Sequence, residues 1–225
     1  MADGTQHETL FLALAHPDDE SFFFGGTIAK YVEAGWRVVL YCATYGLHAD
    51  ADGEKVDRRT KRSLREKELE RSAQILGIHR VIKGDIQHGE LADVPCEEVI
   101  TELINLYDEE RPQRLITFPP DGITGDDDHR RMSKCATEAF VRWHDRDQEL
   151  YYGMVPDWLL DEYDVDEGVS ERVDRIEDVR PYLIRKLKAI EAHQSQTYSR
   201  TKLAAFSEEE LAHLLGFERY TLVRF

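Results

Sequence analysis

The stretch LALAHPDDESFFFGGT, residues Leu12–Thr27, decides the fold of this chain. It contains the end of a nearly continuous apolar run, Thr9–Ala15, which is typical of a strand buried on both faces of a sheet. The run leads directly into one histidine and three acidic residues: His16, Asp18, Asp19 and Glu20. Charges crowded at the end of a buried element repel one another and resist desolvation, so we expect a bound cation to compensate them.

Strand-like and helix-like segments alternate along the rest of the sequence, without internal repeats or a linker. Further strands are predicted at Val38–Cys42, Val81–Ile82, Arg114–Phe118, Leu150–Val155 and Tyr220–Phe225. Helices are predicted at Thr27–Ala34, Arg58–Leu76, Val94–Tyr107, Arg130–Trp143, Arg180–Ser195 and Ser207–Leu215. This alternation predicts one α/β domain over residues 1–225, with a mainly parallel sheet and helices on both faces.

Two further details follow from the same patterns. In the helix at Arg58–Leu76, Leu64, Leu69, Ala73 and Leu76 lie near one face and are expected to pack on the core. The strongly acidic segment at residues 157–178, DWLLDEYDVDEGVSERVDRIED, is interpreted as a solvated surface excursion.

Composition narrows the classes of function and partner. The 225 residues include 45 acidic and 29 basic side chains, a formal charge of −16 that works against binding nucleic acid or anionic membranes. Three cysteines without a C-x-x-C pair argue against a disulfide framework and for a reducing compartment. The N-terminus lacks a basic segment followed by an apolar one, and no apolar run approaches about 18 residues. A soluble, cytoplasmic protein is therefore expected.

The predicted sheet brings two polar motifs together. HPDDE follows the first strand, and GDDDH, residues 125–129, follows the strand at Arg114–Phe118. Ligands of open α/β sheets bind beyond the carboxyl ends of the strands, so the two motifs are expected to converge there. Two imidazoles and one carboxylate, with a further position for water, are typical of a hydrolytic zinc site.

At this point the sequence resembles a known family. The resemblance rests on AHPDDESFFFGGTIAKY, an R-x-x-E helix with Arg65 and Glu68, the loop GITGDDDHRRMS, and KLKAIEAHQSQ near the C-terminus. Together and in this order they resemble the PIG-L/LmbE-like family of zinc-dependent N-deacetylases. The resemblance implies a Rossmann-like fold, removal of acetyl from an N-acetylglucosamine-type amide, and one divalent ion per chain, usually zinc.

The resemblance also implies a role for individual residues. His16, Asp19 and His129 match the family's metal ligands, and Asp18 matches the general base that later protonates the leaving amine. Asp128 is expected to hold a ligand histidine or its loop. The ligand set is also suited to iron(II), so the native metal stays open.

Two departures from the family pattern concern the groups around the substrate. The family's loop commonly reads H-P-D-H, and its first histidine helps to stabilise the oxyanion, whereas this chain has Asp126, which when ionised cannot donate a hydrogen bond. Zinc alone, a protonated Asp126, or a histidine from another loop could replace that donor, and His48 and His88 are the candidates. His88 also stands where relatives often carry an aspartate, which predicts a shifted specificity. Arg65 is a candidate substrate contact.

Simpler interpretations stand beside these. The HPDD acid could cap a helix, and Arg65 and Glu68 could form a surface ion pair. His193, Ser195 and Gln196 are interpreted as capping and packing the last long helix. The alternatives to a sugar deacetylase are an amidase for another small N-acyl or thiol-conjugate substrate, and a zinc- or sugar-binding protein without turnover. A homo-oligomer is compatible with the sequence, although no segment marks an interface.

Overall fold

The computed structural model describes residues 7–46, 57–123, 125–145, 147–154, 172–196, 201 and 203–225. Its strands are β1 (Thr9–Leu14), β2 (Arg37–Thr44), β3 (Arg80–Ile86), β4 (Arg114–Thr117), β5 (Glu149–Gly153), β6 (Arg175–Asp178) and β7 (Phe217–Leu222). Within the described residues these form one sheet of order β3-β2-β1-β4-β5-β7-β6. The single-domain prediction over residues 1–225 is compatible with that sheet and stays a prediction.

β1 lies between β2 and β4 and is parallel to both, with Leu12 opposite Leu40 on one side and Ile116 on the other. Every residue of β1 is buried, as its unbroken apolar sequence predicts. The chain continues from β1 towards β2 and β3 on one side, and β4 lies on the other side, so the strand order reverses at β1. The carboxyl ends of β1 and β4 therefore flank the crevice where such sheets bind ligands.

The helices cover the sheet in two groups, which right-handed crossovers on the two sides of β1 place on opposite faces. They are α1 (Asp19–Phe22), α2 (Gly25–Glu33), α3 (Arg58–Leu76), α4 (Cys96–Glu110), α5 (Asp127–Trp143), α6 (Leu183–Ala192) and α7 (Glu208–Leu215). In one group α4 packs on α5, and in the other α6 packs on α1, α2 and α3. The α/β class and the mainly parallel sheet are confirmed.

Three expectations about elements were wrong. Residues 175–178 of the acidic segment form β6, which pairs with β7 in antiparallel orientation at the edge of the sheet; the rest of that segment before residue 172 lies outside the described residues. Helix α5 begins at Asp127, so the last residues of GDDDH form its first turn. Leu64 is 47% exposed, while Leu69, further along α3, is buried.

The cysteine prediction was also wrong, because Cys96 and Cys135 form a disulfide that joins α4 to α5. Cys42 is buried in β2 and free. Helix packing brings Cys96 and Cys135 together across 39 residues of sequence, which a count of cysteines cannot reveal. One argument for a reducing compartment is thereby lost.

In the part of the chain that the structure describes, every helix is too short or too polar to cross a lipid bilayer.

Candidate metal centre and active site

The turn after β1 carries the first half of the site. Asp18 has a left-handed backbone conformation, φ 117° and ψ −25°, which is rare for a residue with a side chain and costs about 1–3 kcal/mol. It occupies the N-cap position of α1, yet its carboxylate makes no capping hydrogen bond. The helix-cap interpretation therefore does not account for this side chain, which is 29% exposed.

The three ligands predicted from the sequence converge in the structure. His129 Nε2 lies 2.9 Å from His16 Nδ1 and 3.3 Å from Asp19 Oδ1, and His16 Nδ1 lies 3.8 Å from Asp19 Oδ2. Donors on a tetrahedral ion at about 2.0–2.1 Å stand roughly 3.3 Å apart, and the two nitrogens and one Asp19 oxygen, all within 4.8 Å of one another, are close enough to share one ion. All three side chains are buried.

The remaining polar atoms of the two histidines have protein partners that leave the facing nitrogens available for a metal. His129 Nδ1 lies 2.9 Å from the Gly122 carbonyl oxygen, to which it donates. His16 Nε2 lies 3.0 Å from Asp128 Oδ2, to which it donates in the same way. Each contact fixes a tautomer whose lone pair points at the other ligands, which is the arrangement that metal-binding histidines require.

Asp128 is held rigidly in this role. It is 1% exposed, and its carboxylate also accepts the backbone N–H of Gly89 at 2.6 Å and of Leu91 at 3.0 Å. Burial would raise its pKa, but His16 and the Gly89 N–H lower it, so the group is ionised at neutral pH. The loop at residues 89–91 thus supports His16, in the turn after β1, through a residue of α5.

The charges of the ligand set also favour a cation. Burial alone would raise the pKa of Asp19, but the adjacent His129 lowers it. Burial alone would lower the pKa of His129, but the Asp19 carboxylate raises it to about 9. A positive charge is therefore stabilised at this point, which either a proton or a metal ion can supply.

A second set of potential ligands, His16, His88 and Asp128, also has its donor atoms within 4.8 Å of one another. It shares His16 with the first set, and both Asp128 oxygens already accept hydrogen bonds. The set of His16, Asp19 and His129 therefore fits a metal better.

Asp126 and His88 lie beside the ligands in different ways. Asp126 caps α5, and its Oδ1 accepts the backbone N–H of Asp128 at 2.8 Å and of His129 at 3.3 Å. The ring of His88 lies 4.2 Å from that of His16, centroid to centroid, and is half-buried. His48 lies outside the described residues.

Arg65 lies beneath the turn and is 4% exposed. One of its terminal nitrogens donates to the Pro17 carbonyl and is 3.6 Å from Asp18 Oδ2. The other donates to Ser195 Oγ at 3.3 Å and is 3.4 Å from Glu68 Oε2. Arg65 is thus surrounded by protein groups, and the pair with Glu68 is buried, so the surface-pair interpretation was wrong.

Glu20, which has no role in the sequence-based prediction of the site, is fully buried in the first turn of α1. Its carboxylate accepts the Asp18 backbone N–H at 2.9 Å and the Ser72 hydroxyl at 2.5 Å, and lies 2.8 Å from His193 Nε2. Burial would raise the pKa of Glu20, but His193 lowers it, so it is ionised at neutral pH. The sequence did contain a signal for its involvement, because Glu20 directly follows the two acidic residues Asp18 and Asp19.

Comparison with known proteins identifies a family and several relatives of this chain. The family model PIG-L, described as GlcNAc-PI de-N-acetylase, matches residues 11–140. A probable N-acetyl-α-D-glucosaminyl L-malate deacetylase 2 of Bacillus anthracis is 26% identical over 83% of this chain and 80% of its own length. A 1D-myo-inositol 2-acetamido-2-deoxy-α-D-glucopyranoside deacetylase of a Mycobacterium species (strain KMS) is 28% identical over 95% and 83%.

The fold is shared with solved structures. N,N'-diacetylchitobiose deacetylase from Pyrococcus horikoshii superposes with a TM-score of 0.75 at 21% identity, covering 97% of this chain and 84% of that one. The region matched by the family model contains most of β1 and the turn after it, β4 and the first turn of α5, and so includes the three predicted ligands. The chain belongs to the PIG-L family of GlcNAc-PI de-N-acetylases.

Proposed function

We propose that this protein is a metal-dependent hydrolase that removes the acetyl group from an N-acetylglucosamine-type amino sugar or its conjugate. The observation that carries the proposal is Asp18, a partly exposed carboxylate beside the ligand set that serves neither as a ligand nor as a helix cap. A site that only binds metal has no need of such a group. The curated relatives, which are named deacetylases of this substrate type, support the same reaction.

His16, Asp19 and His129 would hold the ion. When bound, a divalent ion supplies Lewis acidity, which lowers the pKa of a coordinated water to about 7 and polarises the amide carbonyl. Asp18 accepts the proton of the attacking water and delivers it to the leaving amine. Burial raises the pKa of Asp18 while Arg65 opposes that rise, and a raised carboxyl pKa suits a group that must both accept and donate a proton near neutrality.

We propose His88 as the neutral or cationic donor that faces the substrate carbonyl. Asp126 is poorly placed for this task, because its Oδ1 accepts two backbone N–H groups of α5 and a carboxylate repels an oxyanion. The ring of His88 lies 4.2 Å from that of His16, centroid to centroid, and is half-buried, which places this imidazole beside the proposed ligands. A variant without this donor should lose about 10²–10³-fold in kcat.

We propose zinc as the ion, one per chain. Two imidazole nitrogens and one carboxylate oxygen within 4.8 Å of one another support zinc, and iron(II) is the competitor because it takes the same ligands. Metal analysis of protein purified without added metal, followed by reconstitution with each ion in the absence of oxygen, distinguishes them.

A second candidate keeps the reaction and changes the substrate. His88 would meet a substrate where an acidic residue commonly meets sugar hydroxyls in relatives, which favours a different small amide such as a thiol conjugate. The remaining alternative is a zinc- or sugar-binding protein without turnover, and Asp18 argues against it. The predictions of a small-molecule substrate without nucleic-acid or membrane partners, of a cytoplasmic location and of a homo-oligomer stay proposals.

The test is acetate release from N-acetylglucosamine glycosides of inositol and malate and from short chito-oligosaccharides, with zinc-loaded protein and Asp18→Asn as control. We expect release by the wild type and a loss of at least about 10²-fold in Asp18→Asn, with zinc content unchanged. Release of another acyl product from a thiol-conjugate amide would favour the second candidate. Zinc binding without hydrolysis of any amide would contradict the proposal.

A further inference from the structure

The Pro17–Asp18 peptide group is held at both ends by buried charged side chains. Arg65 donates to the Pro17 carbonyl oxygen, and Glu20 Oε2 accepts the Asp18 N–H at 2.9 Å. These two atoms belong to one planar peptide unit, so the two contacts together fix its rotation. The unit leads directly into Asp18, whose left-handed backbone conformation is unfavourable unless its surroundings impose it.

Both side chains that hold this unit are themselves fixed by two other elements. Arg65 and Ser72 come from α3, and the residues that follow α6 supply the remaining contacts. Ser195 joins the two elements: its N–H and hydroxyl donate to Glu68 at 2.8 and 2.6 Å, and its oxygen accepts from Arg65 at 3.3 Å. Gln196 adds an amide oxygen that accepts from Arg65 at 2.8 and 3.1 Å when the amide is oriented to satisfy both groups.

Glu20 is held by the same two elements. Ser72 of α3 donates to its Oε1 at 2.5 Å, and His193, at the C-terminal end of α6, lies 2.8 Å from the same oxygen. Glu20 is 0% and His193 1% exposed, so neither can contact a substrate in this arrangement. The R-x-x-E helix and the HQSQ segment thus converge on the turn that carries the base.

We propose that Arg65 and Glu20 are positioning residues that hold the Pro17–Asp18 peptide group and thereby aim the Asp18 carboxylate, with Glu68, Ser195 and His193 as their support. This inference rests on the proposed hydrolase function and gives Arg65 a role different from substrate contact. Arg65 also lies 3.6 Å from Asp18 Oδ2, so it restrains the side chain as well as the backbone. A planar guanidinium can serve both acceptors at once, whereas an ammonium is a single point of contact.

The test compares Arg65→Lys with Arg62→Lys. Arg62 lies on the same helix, pairs with Glu66 and Asp85, and is 39% exposed, so the matched substitution leaves the turn intact. On the substrate identified above, we expect Arg65→Lys to lower kcat by about 10²-fold with KM changed less than about twofold, because displacement of a catalytic group by about 1 Å has such an effect. Arg62→Lys should match the wild type in both constants.

A second readout needs neither metal nor substrate. Hydrogen exchange of the Asp18 amide, followed by NMR in the metal-free protein, should become at least about tenfold faster in Arg65→Lys and in Glu20→Gln, because the peptide unit is no longer held at both ends. Glu177→Gln is the matched control for Glu20, since Glu177 is also buried and charge-paired but contacts Lys30 and Arg175. It should leave that exchange unchanged.

The outcomes separate this inference from the proposed function. A higher KM with unchanged kcat in Arg65→Lys would make Arg65 a substrate contact and overturn the inference. Unchanged exchange of the Asp18 amide in both Arg65→Lys and Glu20→Gln would overturn it as well, whatever the kinetics. If the wild type releases no acetate, the proposed function fails, but faster exchange in both variants would still support the positioning role. Should Arg65→Lys fail to fold, Glu20→Gln alone decides.

Discussion

Asp128→Asn is the substitution whose effect on the metal site can be worked out most fully. The Asp128 carboxylate accepts three N–H groups: His16 Nε2 and the Gly89 N–H share Oδ2, and the Leu91 N–H meets Oδ1. Asparagine has nearly the same shape but replaces one acceptor oxygen by a donor NH₂. In one orientation that NH₂ faces two donors, and in the other it faces only the Leu91 N–H, so the second orientation is preferred.

Two costs follow from the preferred orientation. The Leu91 N–H loses its partner in a buried place, which lowers the free energy of unfolding by about 1–3 kcal/mol. His16 then donates to a neutral amide instead of a carboxylate, which makes its other nitrogen a weaker ligand. Loss of such a supporting contact typically lowers metal affinity about 10–100-fold, equivalent to about 1.4–2.7 kcal/mol.

Competition with a fluorescent zinc chelator measures this loss directly, beginning from metal-free protein. Asp127→Asn is the matched control, because its side chain is 80% exposed and its charge partner is Arg130 on the surface of the same helix. We expect Asp127→Asn to bind zinc as the wild type does. Equal zinc affinity in Asp128→Asn and Asp127→Asn would refute the argument that the Asp128 carboxylate fixes the ligand tautomer.

Three further outcomes are expected. Because the pKa of His129 is raised to about 9 without metal, zinc binding at pH 7 should release about one proton, and the zinc affinity should increase as the pH rises towards 9. Calorimetry in buffers of different ionisation enthalpy counts the released proton. No proton would be released if the imidazole were already neutral. Burial would raise the pKa of Glu177, but its two cationic partners, Lys30 and Arg175, lower that pKa below 4.5. The contribution of the ionised carboxylate to the stability of the fold is therefore present above pH 4.5 and is lost as the pH falls further. The Tm values of the wild type and Glu177→Gln should differ at pH 7 and converge in acid. Thiol labelling of the denatured, unreduced protein should modify Cys42 alone, whereas labelling of all three thiols would exclude the disulfide. Cys96→Ser should lower the free energy of unfolding by about 2–4 kcal/mol, because the link to Cys135 is lost.

Much of the local structure was predictable because the signals act over a few residues. Helix α3 has its predicted bounds, since Asp57 caps its first turn and Gly77 ends it in the left-handed conformation with φ 85°. The helix predicted at Ser207–Leu215 is α7, which starts with a capping box in which Ser207 and Glu210 make both reciprocal hydrogen bonds. Such contacts depend on spacing alone, and spacing is visible in a sequence.

The convergence of His16 and His129 was predictable for a different reason. They are 113 residues apart, but each follows a strand that reads as buried and parallel, and the carboxyl ends of adjacent parallel strands meet at one edge. The expectation required only that β1 and β4 be neighbours. A chain in which strands and helices alternate can place its strands in few other orders within a sheet.

By itself, then, the sequence determined the α/β class, the buried first strand and the identity of the residues that could hold a metal. The tertiary structure alone decided what each nearby polar group does with its hydrogen bonds: Asp126 caps α5, Asp128 holds His16, and Arg65 and Glu20 hold the peptide group before Asp18. The same side chains could have faced solvent or substrate. Their roles depend on donors and acceptors brought from distant segments, and burial makes each of those groups require a partner.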